Sequence, residues 1–532
     1  MSTGGANNLF GGSSSATGGS LPIASGGSGG VGSLAQGGSA PATGGSRASG
    51  GASIIGGAGP TGGQSATGGT TALATATGGT AATGGTTATT GGKSTSGGTA
   101  TTTGGNSSTG GVLSGGNSAV ATGGDVNGGA ATGGASATGG KSTSGGTNTG
   151  GSTSTAATHW VGTWTASPYT VASGNMPPAS LSGSVLRQVV HVSLGGSRIR
   201  LLLSNLSGNG SVIINSVHIA VCKATPAVDS TIDTSTDKAL AFSGTASVTI
   251  SQGKEVWSDP VDFTVAPLGN ISITMAVGSV PSTLTGHAGS RTTSYEQTGS
   301  TNVSAASMTS AQTVDAWYTI SGIDVMADAS AKAVVAIGDS ITDGRGTDTN
   351  KNNRWTDILA ARLHTNASTA NVAMLNQGIG ATNLIGTSGT AAEARFSRDV
   401  LGQSGVKYAI VYDGVNDIGG GATFASMKSA YDSLISAAHA KGLLIYGGTI
   451  LPFNGNSYYT AAHESVRQQV NTYIKSGVFD GIIDFDTALT DGGNPPKLQA
   501  TYAAWSQEDW LHPGPAGYQK MGDTPDLTLF TK

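Results

Sequence analysis

The sequence predicts an α/β domain with a mainly parallel sheet over 329–532, an all-β sandwich or jelly roll over 158–328, and a Gly/Ser/Thr-rich low-complexity segment over 1–157. Three observations carry this reading. Glycine makes up 89 of 532 residues, and the excess is concentrated in the first third. From His159 onward, short β-rich runs follow one another without a helical period. From residue 329, such runs alternate with stretches of 3.6-residue periodicity.

The first segment repeats TGG and SGG blocks, and TGGKSTSGGT occurs at both Thr90–Thr99 and Thr138–Thr147. Phe10 is its only aromatic, and Arg47, Lys93, Asp125 and Lys141 are its only charges. Such a composition buries too little apolar surface to offset chain entropy. A disordered polar tether is expected, about 65–75 Å root-mean-square as a coil; stacked glycine-rich repeats are the alternative. GGKST does not make a phosphate loop, because Thr87 and Ala135 stand where the motif needs its first glycine.

MSTGGANNLF has no basic region before an apolar core, so no signal peptide is present as written. A tether nevertheless suits a secreted or cell-surface protein attached through this segment, and the sequence is read as a mature form with a new initiator Met. The net charge of −4, with no basic stripe, argues against nucleic-acid binding. No apolar run reaches 18 residues, so no transmembrane segment is expected. Cys222 is the single cysteine, which excludes an internal disulfide; it reads as a small packed hydrophobe.

Between His159 and about residue 328, Leu186–Leu194 and Ile199–Ser204 flank Gly195-Gly196-Ser197 as a hairpin candidate. Ser211–Cys222, Ala246–Ile250, Val256–Val265, Ile271–Val277 and Trp317–Val325 are further strand-like runs. Trp160, Trp164, Trp257, Trp317 and Tyr318 read as core or interface aromatics, with sugar stacking as the alternative. Thr285-Gly286-His287 reads as a polar loop able to reach a neighbouring site.

In the last part, Val334–Ile337, Val372–Leu375, Tyr408–Tyr412, Leu444–Thr449 and Ile482–Phe485 are the β-rich segments. Phe424, Met427, Tyr431, Leu434, Ile435 and Ala438 share one helix face, as do Val466, Val470, Tyr473 and Ile474. Arg354-Trp355 begins a helix. Ligands of such folds bind at the carboxyl ends of the strands, which is where Gly338-Asp339-Ser340 falls.

A serine nucleophile needs a base, an orienting acid and oxyanion donors. Asp509-Trp510-Leu511-His512 brings a carboxylate and an imidazole within one turn. Asn376-Gln377-Gly378-Ile379-Gly380-Ala381 and Gly414-Val415-Asn416-Asp417 each follow a strand-like run. Taken singly, these are ordinary: Ser340 would be a turn or cap residue, His512-Pro513-Gly514 a turn, and Asn416-Asp417 a local backbone partner. His364, His439 and His463 lie on helical stretches as surface or packing residues. No cluster of His, Cys and carboxylates suggests a metal, and no cofactor is expected.

Four blocks in order, from Ala331 to about Phe530, resemble the GDSL or SGNH hydrolases, serine esterases with a flavodoxin-like three-layer fold. His159–Val325 also resembles the β domain preceding the hydrolase in some secreted members. The resemblance implies Ser340 as nucleophile, His512 as general base and acid, and Asp509 as the group holding its tautomer. It implies an oxyanion hole of the Ser340 N–H, a second-block N–H and the Asn416 amide. Where the family has Gly, five residues after Asn376, this chain has Ala381; its N–H can still donate, or Gly380 can donate instead. The expected function is hydrolysis of carboxylic esters through an acyl-enzyme, on small-molecule or polysaccharide substrates, with acetyl esters of carbohydrate foremost. A broad lipase or arylesterase is the alternative, and a surface-display or carbohydrate-binding protein with an inactive hydrolase unit is the alternative of another class.

Overall fold

Apolar alternation in the first half and continuous apolar runs in the second set the architecture of the computed structural model, which describes residues 158–223 and 229–532. The expected tether over 1–157 lies outside the described residues. Fifteen strands precede the parallel sheet: β1 (Thr158–Thr165), β2 (Tyr169–Thr170), β3 (Ser184–His191), β4 (Gly196–Ser204), β5 (Val212–Val221), β6 (Lys238–Leu240), β7 (Val248–Ile250) and β8 (Glu255–Trp257), then β9 (Val261–Val265), β10 (Asn270–Ser279), β11 (Thr285–His287), β12 (Ser294–Thr298), β13 (Gln312–Val314), β14 (Trp317–Tyr318) and β15 (Ile320–Asp328). One antiparallel sheet runs β1-β15-β4-β8, with β9 also on β4. A second runs β13-β12-β3-β10-β5-β6, with β7 also on β5, and β14-β11-β2 form a small third sheet. Leu201, Leu203, Ile323 and Val325 of the first sheet share one core with Leu186, Ile219, Ile273 and Met275 of the second.

Four readings of this half need correction. β3 and β4 are not a hairpin, since they belong to different sheets. Thr163 of β1 captures the link between them: Ser193 N–H donates to the Thr163 carbonyl (2.9 Å) and Leu194 N–H to Thr163 Oγ1 (2.8 Å). Backbone donors that would close a hairpin are thereby spent on a crossover. Val256–Val265 divides into β8 and β9, both paired with β4. Trp317–Val325 divides at Thr319, whose φ of 65° breaks the strand. The Thr285–His287 loop is strand β11, buried along its length.

The second half is a five-stranded parallel sheet of β16 (Lys332–Gly338), β17 (Val372–Gly378), β18 (Val406–Tyr412), β19 (Leu444–Gly448) and β20 (Gly481–Ile483), in the order β17-β16-β18-β19-β20. Ala333 to Ile337 are wholly buried, as expected of a central parallel strand covered on both faces. The helices are α1 (Ser340–Asp343), α2 (Trp355–Thr365), α3 (Ala392–Phe396), α4 (Val415–Gly419), α5 (Phe424–Ala440), α6 (Ala461–Tyr473), α7 (Phe485–Leu489), α8 (Ala500–Ala503) and α9 (Pro515–Asp523). α5 buries Met427, Ala430, Tyr431, Leu434, Ile435 and Ala438, and the Thr423 hydroxyl caps it by accepting from Ser426 N–H. Phe485 is helical rather than extended, because Asp484 caps α7 through Thr487 N–H. None of the described helices is long and apolar enough to cross a membrane.

The two halves share a single apolar core. β1 lies against β17, where a side chain on Gly162 would stand 2.9 Å from Leu375 Cδ1, and Gly162 N–H donates to the Ser404 carbonyl (2.9 Å) in the turn before β18. Met374 N–H donates to Ser193 Oγ (3.0 Å) across the same junction. Of the aromatics singled out, Trp164, Trp317 and Tyr318 are core residues, and Trp160 and Trp257 sandwich the Arg200 guanidinium at 4.8 and 4.2 Å.

Candidate active site

The chain leaves β16 to one side for β17 and to the other for β18, so the order of the sheet reverses at β16. A crevice opens at the carboxyl end of such a strand, and Ser340 stands there. Gly338 permits the sharp exit: a Cβ would collide with Thr342 Oγ1 and the Tyr412 carbonyl. Asp339 caps α1 by accepting from Ile341 N–H (2.8 Å), which leaves the Ser340 side chain at the helix start.

His512 arrives from the loop before α9. Its Nε2 lies 2.8 Å from Ser340 Oγ and its Nδ1 2.7 Å from Asp509 Oδ2. Asp509 Oδ1 accepts from the N–H groups of Leu511 and His512 (3.0 and 2.9 Å), so the carboxylate is held by the backbone it orients. Burial alone would raise the Asp509 carboxyl. The hydrogen bonds and charge of His512 and the Leu511 N–H outweigh it and hold the group at about 2. Burial pushes the His512 imidazole below its ordinary value; the Asp509 carboxylate opposes this, and Arg345 and Arg291 add to it. At neutral pH the ring is therefore neutral, with Nδ1–H directed at Asp509 and Nε2 free to accept from the serine hydroxyl.

Asn416 opens α4 beyond β18. Its Nδ2 donates one hydrogen to the Thr382 carbonyl (2.7 Å), and Tyr458 Oη donates to its Oδ1 (3.2 Å), fixing the amide with its second N–H unspent. Asp417 accepts from the N–H groups of Leu384 and Ile385 (2.7 and 3.0 Å). Asn416 and Asp417 do bond backbone, but it is the backbone of the loop after β17. In that loop Gly380 N–H donates to Asp343 Oδ2 (3.2 Å), whereas Ala381 N–H has no partner among the described residues. Ala381 has φ of 60°, the left-handed region where glycine is the easy residue.

Several residues here escaped the sequence reading. Asp343 is buried, with Oδ2 on Gly380 and Oδ1 2.9 Å from Nε2 of His287, which comes from β11. His287 Nδ1 lies 2.9 Å from the Ser167 carbonyl, which can only accept, so Nδ1 carries hydrogen. Burial would raise the Asp343 carboxyl; His287, Arg291 and Arg354 outweigh it and hold it below the usual range. Arg395, fully buried, donates to the carbonyls of Gly338 (2.9 Å) and Gln377 (2.5 Å), locking the exits of β16 and β17 together. Arg354 donates to the carbonyls of Asp343, Gly289 and Ser290. The sequence signals for this layer were the polar Thr285–His287 stretch and Arg354 at the start of a helix, read as a packing residue; Arg395, a lone arginine in a helical run, looks like a solvated residue.

Of the helical histidines, His439 is a surface residue paired with Asp480, and the half-buried His463 bonds the Tyr458 carbonyl. Beneath the site, burial pushes the Asp339 carboxyl up to about 7, and the neighbouring Asp413 is raised well above its ordinary value.

Residues 336–520 match the model of the GDSL-like lipase/acylhydrolase family. No curated protein matches the chain. Among solved structures it is similar to a putative lipolytic G-D-S-L protein from Desulfitobacterium hafniense (21% identity, 36% of this chain and 97% of that one, TM-score 0.29). It is also similar to an acetylxylan esterase from Geobacillus stearothermophilus (18%, 36% and 91%, 0.29) and to an α/β hydrolase from the metagenome of Lake Arreo, Spain (19%, 38% and 96%, 0.30). With all four sequence blocks gathered at the end of one parallel sheet and the family model spanning them, the chain is an ester hydrolase built on a GDSL-like lipase/acylhydrolase domain.

Proposed function

We propose that Ser340 attacks the carbonyl of a carboxylic ester and that His512 and Asp509 serve it as base and orienting acid. One observation carries this reading: an unbroken relay from Ser340 Oγ to His512 Nε2 (2.8 Å) and from His512 Nδ1 to Asp509 Oδ2 (2.7 Å). His512 takes the serine proton at Nε2 as the Oγ–carbonyl bond forms. Asp509 stabilises the resulting imidazolium, which then gives the proton to the departing alcohol. Water repeats the sequence on the acyl-enzyme. The oxyanion is held by the Ser340 N–H, the Ala381 N–H and the second Asn416 amide hydrogen. Gly380 is the weaker candidate donor, since its N–H is engaged by Asp343.

The substrate reading is a short acyl ester, acetate foremost, on carbohydrate. Ala381 supports the short acyl group, because it sets a methyl on the oxyanion turn. Trp505 supports the sugar: its ring meets His512 edge-on at 6.4 Å and lines a cleft of about 420 Å³, within the size range of small-ligand sites. A secreted or surface-attached enzyme, tethered through 1–157, suits such a substrate. The test is turnover of p-nitrophenyl acetate by Ser340→Ala beside the wild type. Activity should vanish with the circular dichroism spectrum unchanged, and undiminished turnover would remove Ser340 from its role.

A further inference from the structure

The cleft that Trp505 lines is also flanked by two guanidinium groups with no anionic partner. Arg291 comes from the segment after β11 and Arg345 from the turn after α1. Among the described residues neither forms an ion pair with a carboxylate. Arg291 Nε is buried and has no hydrogen-bond partner among the described residues, whereas buried donors are ordinarily paired. Its backbone, at φ of 49°, is held in the left-handed region, and the Arg291 carbonyl accepts from Asn350 N–H (2.9 Å). Strain of that kind clusters at ligand clamps. The Arg345 guanidinium lies 6.0 Å over the Trp505 ring. Among the described residues Asp348 is the one carboxylate lining the cleft, and its Oδ2 accepts from Asn353 Nδ2. Asp343, within electrostatic reach of Arg291, has its two oxygens taken by His287 and Gly380.

The position of the cleft indicates which part of a substrate enters it. The departing alcohol must receive a proton from His512 Nε2, so the alcohol side of the ester lies beside the imidazole. Trp505, whose ring meets that imidazole, belongs to the cleft. We infer that Arg291 and Arg345 form a subsite for a carboxylate borne by the sugar that carries the ester, so that the preferred substrate is an acidic, uronic-acid-containing carbohydrate. The inference deepens the esterase reading and rests on it for the side of the ester assigned to the cleft. A planar guanidinium fork matches a carboxylate in two parallel hydrogen bonds, and Trp505 adds apolar surface to the same cleft for a pyranose ring.

The test is equilibrium titration of the full chain, followed by tryptophan fluorescence, with a uronic-acid trisaccharide and the neutral trisaccharide of the same linkage. The acidic sugar should bind at least about tenfold more tightly at low salt, the ratio expected for one charge-assisted bond, and the advantage should shrink as salt rises. Arg345→Gln, at an exposed position with little bearing on folding, should remove most of that advantage, and Arg291→Gln the rest. Equal affinity for the two sugars in the wild type, or an advantage that survives in both variants, would overturn the subsite. So would inorganic sulfate or phosphate binding as tightly as the acidic sugar, which would mark a general oxyanion site. Because the readout is binding, a failure of Ser340 as nucleophile would appear in the p-nitrophenyl acetate assay and leave this titration intact.

Discussion

Ala381 joins the proposed oxyanion chemistry and the backbone strain of the site in one residue. Its φ of 60° suits glycine, and a Cβ there costs about 1 kcal/mol. Ala381→Gly should therefore leave urea stability unchanged or raised by up to about 1 kcal/mol, against the loss of about 0.5–1 kcal/mol that the same change usually brings. It should also raise kcat/KM for acyl groups larger than acetyl. A clear loss of stability would mean that the turn does not strain alanine. Asn416 has one free amide hydrogen, so Asn416→Ala should lower kcat by about 100- to 1000-fold; a change under about threefold would exclude it from the oxyanion hole. Since burial sets His512 below its ordinary value, its neutral, proton-accepting form persists as pH falls through 6.5. The acid limb of kcat/KM should have its midpoint below about 6.5, the ordinary histidine value, and a midpoint above 7 would contradict the burial.

At the scale of elements, β11 and α1 are joined by His287 and Asp343, both nearly inaccessible to solvent. Asp343 in turn holds Gly380, one residue before the proposed donor Ala381. His287 is thus a positioning residue acting through Asp343 on the turn after β17. His287→Ala leaves a buried carboxylate short of its partner and should cost about 3–5 kcal/mol in urea unfolding. It should also lower kcat more than it raises KM; a wild-type stability would show that Asp343 does not depend on the ring. The parallel strands, the helices α2, α5 and α6, and the positions of the first three blocks at strand ends were legible, because apolar period and turn chemistry are local; the fourth block, Asp509–His512, lies instead in the loop between α8 and α9. The β3–β4 hairpin was misread for the converse reason: Thr163, some thirty residues upstream, decides where that link goes.

At the scale of the molecule, β1 and β17 bury each other, and one apolar core runs through both halves. A fragment beginning at 329 should bare Leu375 and its neighbours and be recovered aggregated or far less stable than the full chain. A soluble fragment with wild-type kcat would show that the β half is dispensable. The sequence by itself determined the succession of β-rich and α/β parts, the serine at the end of the first parallel strand and the identity of the residues in the four blocks. All of these follow from short-range pattern and side-chain chemistry. The sequence raised the approach of His287 to a neighbouring site, but only the tertiary structure decided that it pairs with Asp343 and that Arg291, an arginine of the β half, stands beside the site. Its neighbours there, Asp343 and Arg345, lie some 55 residues away along the chain. Which distant groups become neighbours is set by how two apolar surfaces fit together, and no local period records it.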